Sequence, residues 1–117
     1  MRDLDRRQRS ICDRYGAQFD PPSGDTPLGI ALQTLSNVPI NGLRHPPEKG
    51  TCGWYIWAGA ELDEAPDFFQ PLCLAHLGAH CSFVLPYLAL PPGWRFQIDL
   101  AGYEDVWFDG TLLQIRP

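Results

Sequence analysis

Residues Gly53–Ala60 read GWYIWAGA. Trp54, Tyr55, Ile56 and Trp57 are all strong strand formers, and Gly59 marks a bulge or the end of the strand. Side chains alternate across a strand, so Trp54 and Ile56 share one face while Tyr55 and Trp57 share the other. Both faces are aromatic. Either this strand is central and covered on both sides, or one of its faces is presented to a partner.

Working outward toward the N-terminus, Ile40–Arg44 reads as a short strand closed by the loop that begins at Pro46-Pro47. Leu28–Leu35 (LGIALQTL) has the length of a buried strand, although its Ala and Leu residues also suit a helix; the strand is the preferred reading. Residues 16–27 contain Pro21-Pro22 and a Ser-Gly-Asp run, which make them a linker. In residues 2–15, Leu4, Ile11, Cys12 and Tyr15 fall on one side of a helix, and Gly16 is a suitable stop. That stripe is thin, so the helix is expected on the surface of the domain.

Toward the C-terminus, Glu61–Phe69 is an acidic loop ending in two aromatics. Residues 70–80 read as one short helix with Pro71 in its first turn. Ser82–Leu88 reads as further helical turns, capped by Ser82 and apolar through Val84, Leu85 and Leu88. Trp94–Leu100 (WRFQIDL) and Tyr103–Phe108 (YEDVWF) form a predicted β-hairpin joined at Ala101-Gly102, and Leu112–Ile115 is a short last strand. The order predicts an α+β fold: a mainly antiparallel sheet covered by helices on one face, with an extra N-terminal helix. The organisation expected is a helix and Pro/Gly-rich linker over 1–27, then an α+β domain over 28–117.

The 117 residues are 44% hydrophobic and 20% charged, which is ordinary for one globular domain. No apolar run is long enough to cross a membrane, and the charged start MRDLDRRQRSICDRYG lacks the apolar stretch of a secretory signal. A cytoplasmic protein is expected, with Cys12, Cys52, Cys73 and Cys81 as thiols. The net charge of −5 is unevenly spread. The first fifteen residues hold five arginines against three aspartates. Between Gly50 and Ile115 stand eight acids and a single basic residue, Arg95. Such a body repels phosphate backbones, which argues against nucleic acid as a partner, and it attracts a basic protein. The plainer reading is that the acids keep the protein soluble.

The candidate chemistry is sparse. Cys73, His76 and His80 would share a helix face and could ligate zinc, but Leu72, Leu74 and Leu77 surround them. The default there is a partly buried structural cluster. The acidic loop lacks the spacing of an EF-hand, and a small domain offers little cleft for sugar hydrolysis by paired carboxylates. No histidine has the setting of a catalytic triad, and Ser82 has no glycine elbow around it. No catalytic residue, cofactor or metal is therefore assigned. Arg44 and Arg95 are each expected to pair with a carboxylate among Glu104, Asp105 and Asp109. The set Trp57, Glu61, Asp105 and Trp107, joined by Asp63 and Glu64 of the same acidic loop, is the candidate exposed aromatic–acidic patch for binding a partner.

Gly53, Trp54, Gly59 and Glu61 spell G-W-x-x-x-x-G-x-E. Pro66-Asp67-Phe68, Leu85-Pro86-Tyr87-Leu88, and Pro92-Gly93 leading to Phe96 follow in order. This succession resembles the immunity-protein domain family number thirty-three, associated with bacterial polymorphic toxin systems, and Ile40–Pro47 fits the arginine-bearing strand that precedes the first glycine. The resemblance covers about residues 28–109 and leaves the N-terminal helix outside. It implies an antitoxin-like protein that binds a toxin domain of the same cell and blocks it without chemistry. The alternative is a metal- or small-molecule-binding protein using Cys73, His76 and His80.

Overall fold

The computed structural model describes residues 2–23, 26–47, 50–59 and 68–114. In chain order these form α1 (Arg2–Tyr15), β1 (Pro27–Ile30), β2 (Ile40–Arg44), β3 (Trp54–Ala58), β4 (Gln70–Cys73), α2 (Gly78–Cys81), β5 (Trp94–Ile98) and β6 (Glu104–Phe108). Short 3₁₀ turns lie at Leu32–Thr34, Leu74–His76, Ser82–Tyr87 and Gly110–Leu113. The strands make one six-stranded sheet in the order β4-β1-β3-β2-β5-β6. β1 runs parallel to β3, and each other neighbouring pair is antiparallel. The class is α+β, as the sequence predicts, with α1, α2 and the Ser82–Tyr87 turn packed on one face of the sheet.

β3 is an inner strand, paired on both sides, and both of its faces are covered. Trp54, Ile56 and Ala58 enter the main core with Leu28, Ile30, Ile40, Phe96, Ile98 and Val106. The Trp54 indole N–H donates to the Leu88 carbonyl at 3.0 Å, so the ring is buried without stranding its polar atom. Phe96 stacks on Tyr87, with centroids 5.0 Å apart, and it lies across Gly42. A Cβ at Gly42 would stand 2.2 Å from the Phe96 ring, which explains a glycine in the middle of a buried strand.

α1 closes this face. Ile11 and Cys12 belong to the same core, and the buried Gln8 amide donates to the Leu85 carbonyl at 3.0 Å. The helix is thus packed more deeply than its thin apolar stripe predicts. At its end Arg14 and Tyr15 both donate to the Glu104 carboxylate of β6, the Arg14 bond being 2.5 Å long, and Tyr87 donates to the same group at 2.5 Å.

Four local expectations are corrected. Residues 70–80 are not one helix. Gln70–Cys73 pairs with β1 as an edge strand, where a proline lacking an N–H is tolerated. β1 ends at Ile30 and does not run to Leu35, because Thr34 folds back so that its hydroxyl accepts the Ala58 N–H at 2.8 Å. Ser82 is the first residue of a 3₁₀ turn and makes no capping bond. Gly110–Leu113 is a 3₁₀ turn capped by Asp109 and not a strand, and Ile115 lies outside the described residues.

Candidate partner-binding face

α1, α2 and the Ser82–Tyr87 turn pack on the main-core side of the sheet, and among the described residues no α-helix covers the other side. By register, one row across it runs Tyr55–Leu43–Arg95–Trp107 and a second runs Trp57–Asn41–Gln97–Asp105. The β3 end of these rows is closed. Ala31, Leu43, Trp57, Phe68 and Leu112 form a small second core, with Tyr55 and Phe69 against it. Phe69 sets its ring edge-on to Tyr55 at 5.1 Å and to Trp57 at 6.2 Å. His45 Nδ1 lies 3.2 Å from the Leu112 carbonyl, which requires a proton on that nitrogen and ties the last 3₁₀ turn down over the sheet.

The β5–β6 end is polar and open. Asn41 Nδ2 donates to the Gly59 carbonyl at 2.9 Å, Gln97 Nε2 donates to Asn41 Oδ1 at 2.8 Å, and the Tyr103 hydroxyl donates to Gln97 Oε1 at 3.0 Å. This chain runs from the buried Asn41 to a tyrosine that is 45% exposed. Beside it the Arg95 guanidinium sits over the Trp107 ring, 5.4 Å from the centroid, and donates to Asp109 Oδ2 at 3.2 Å. The predicted Arg95–carboxylate pair is therefore present. Asp109 also accepts from the Thr111 hydroxyl at 2.6 Å, and these Thr111 bonds, with Arg95 behind them, hold its carboxyl below the usual range.

Arg44 is different from its prediction. It is 3% exposed and faces the main core, with no carboxylate within pairing distance among the described residues. Its guanidinium donates to the carbonyls of Cys52 at 3.0 Å, Asp20 at 2.7 Å and Leu90 at 2.8 Å. It clamps three loops and takes no part in the open face.

The predicted patch is only partly assembled. Asp105 is exposed and Trp107 half-buried, and they stand on one face of β6. Trp57 shares that face, but it is 5% exposed beneath Phe69 and stands across two intervening strands, so it is not an exposed patch residue. At ordinary strand spacing that separation is about 14 Å. Glu61, Asp63 and Glu64 lie outside the described residues. Sequence reasoning missed Asn41, Gln97 and Tyr103. The signal was available in Trp94–Leu100, where Arg95 and Gln97 alternate with Phe96 and Ile98 and mark a wet face.

The zinc reading rested on one helix carrying Cys73, His76 and His80. Cys73 instead ends β4, and His76 and His80 are exposed on separate turns. Among the described residues, no group of three or more His, Cys, Asp or Glu side chains could hold a metal ion. Burial pushes the Cys81 thiol up to about 11 and raises Cys12 and Cys52 as well, so these sulfurs are packing groups with little thiolate character. Among the described residues no helix is long and apolar enough to cross a membrane.

The family described as the Imm33-like domain matches residues 7–109. The match begins inside α1, so it takes in most of the helix that the sequence resemblance left outside. No curated protein and no solved structure matches the chain.

Proposed function

The chain belongs to the Imm33-like domain family, and from that premise we propose that it is an immunity-type protein that binds a cognate toxin domain and neutralises it by occlusion, without catalysis. The observation that carries this reading is the family match over nearly the whole chain. The acidic body favours a basic toxin and disfavours nucleic acid, because long-range attraction steers an oppositely charged protein onto it. The setting proposed is the cytoplasm of a bacterium that carries a polymorphic toxin system.

The proposed contact residues are Asp105 and Trp107 on the open face, with Glu61, Asp63 and Glu64 of the acidic loop adding charge. A half-buried tryptophan beside a carboxylate suits an interface anchor, since aromatic residues often dominate binding energy. Trp57 would act from beneath as part of the floor.

Co-expression with the toxin encoded next to this gene tests the reading. The expected result is a complex that survives purification, together with restored growth. Absence of both would sink it.

A further inference from the structure

We propose that the toxin contributes an extended, basic-flanked segment that pairs with the outer edge of β6 and lengthens the sheet by one strand. This rests on the occlusion reading above and specifies how the partner docks.

The two sheet edges differ. Along an antiparallel ladder, successive residues turn their main-chain N–H and C=O alternately toward the neighbouring strand and away from it. The Asp99 N–H donates to the Tyr103 carbonyl at 3.1 Å, and the Asp109 N–H donates to the Gly93 carbonyl at 2.7 Å. These bonds bracket the β5–β6 register and fix its phase. Asp105 and Trp107 turn their main chain toward β5, while Glu104, Val106 and Phe108 turn theirs outward. At the opposite edge the Leu74 N–H donates to the Thr26 carbonyl at 3.1 Å, so Pro71 and Cys73 hold the outward positions of β4. Pro71 has no N–H to offer, which blunts that edge in the way natural sheets avoid pairing. β6 has no proline.

The surroundings of β6 suit a protein strand. Among the described residues the large exposed hydrophobics are Val38, Leu100, Tyr103, Phe108 and Leu113. All but Val38 lie on β6 or in the turns that flank it, and Phe108 itself is 52% exposed. A strand laid along β6 would meet Phe108 with one face and Asp105 beside Trp107 with the other. It would place an apolar side chain against the first and a cationic one against the second.

Charge decides the occupant. A second copy of this chain would bring the same −5 and the same acids to the edge, whereas a basic partner is drawn to them. Glu104 is already occupied by Arg14, Tyr15 and Tyr87, which leaves Asp105 as the exposed charge of the strand.

The test uses the full chain, the toxin domain encoded beside it, and amide hydrogen exchange. In the chain alone, Glu104, Val106 and Phe108 amides should exchange much faster than Asp105 and Trp107. The complex should protect those three. Phe108→Pro removes an outward donor that β5 does not use and should weaken binding about tenfold or more, while Phe108→Ala, which keeps the donor, should weaken it less. Asp105→Lys should slow association about tenfold at low salt. A wild-type complex without protection at β6, or with equal losses for both Phe108 variants, overturns edge pairing and leaves occlusion standing. No wild-type complex overturns both. Protection of the same amides in a dimer of the chain alone overturns the choice of partner.

Discussion

Gly53 immediately precedes β3 with a φ of +92, and a Cβ there would stand 1.9 Å from the His45 carbonyl oxygen. The same junction carries the His45 N–H to Gly53 carbonyl bond of 2.9 Å. Gly53→Ala therefore meets both a disfavoured backbone region and a main-chain collision. It should lower stability by at least about 1–3 kcal/mol, read as a reduced urea midpoint at unchanged slope. An unaffected midpoint would mean that the β2–β3 junction rearranges freely. Arg44 gives a second residue-scale prediction. Its three carbonyl acceptors belong to separate loops, and removing the guanidinium takes a donor from each and leaves the bonds to Cys52 and Leu90 unmade in buried surroundings. Arg44→Ala should cost about 3 kcal/mol or more, and Arg44→Lys less, since an ammonium can satisfy part of the set. Burial pulls the pKa of Arg44 below the usual value while Asp20 works against the shift. The presence of arginine in β2 was legible in the sequence. Its role was not, because a buried guanidinium satisfied by loop carbonyls has no local pattern, and the nearest acids in sequence suggested an ion pair.

At the scale of elements, Glu104 is the hinge between α1, the Ser82–Tyr87 turn and β6. Burial alone would raise its carboxyl, but hydrogen bonds from Tyr15, Tyr87 and Arg14 outweigh that and hold its pKa below the usual carboxylate value. A depressed folded-state pKa contributes stability that is fully present above the unfolded value and is lost as pH falls through the folded one. The tyrosines have the opposite sense. Burial and then the bond to Glu104 raise Tyr87 and Tyr15, so their contribution is present below the ordinary tyrosine pKa and lost as pH rises beyond it. Glu104→Gln should cost about 1.5 kcal/mol or more near neutral pH, flatten both limbs of the stability–pH curve, and speed amide exchange in the last turn of α1. A variant curve parallel to the wild type would show that the cluster carries no linkage. The strands themselves were legible wherever aromatic or branched residues alternate, as in Trp54–Ala58, Trp94–Ile98 and Glu104–Phe108. They were not legible at Gln70–Cys73, where a proline fits a helix start and a sheet edge equally well in sequence. There the partner strand β1 decided the outcome.

For the molecule as a whole, the helix side faces inward and the opposite face divides into a sealed half and a wet half. Composition could not draw that line. Trp57 and Trp107 look alike in sequence, yet Trp57 stands on an inner strand under Phe68 and Phe69 while Trp107 stands on the outermost strand. Position in the sheet, and not residue type, separates a floor residue from one that can touch a partner. What the sequence does carry to this scale is charge, since a net −5 acts at distances where individual contacts do not. If that field steers a basic toxin, the association rate constant should fall with ionic strength while the dissociation rate stays nearly constant. Between about 20 mM and 0.5 M salt the expected fall is roughly tenfold or more, because the screening length shrinks from tens of ångströms to a few. Stopped-flow mixing of the chain with the proposed toxin domain measures both rates. A salt-independent association rate would assign the acids to solubility and leave recognition to the short-range fit around Asp105 and Trp107. A salt effect on dissociation instead would place solvent-accessible ion pairs in the bound interface.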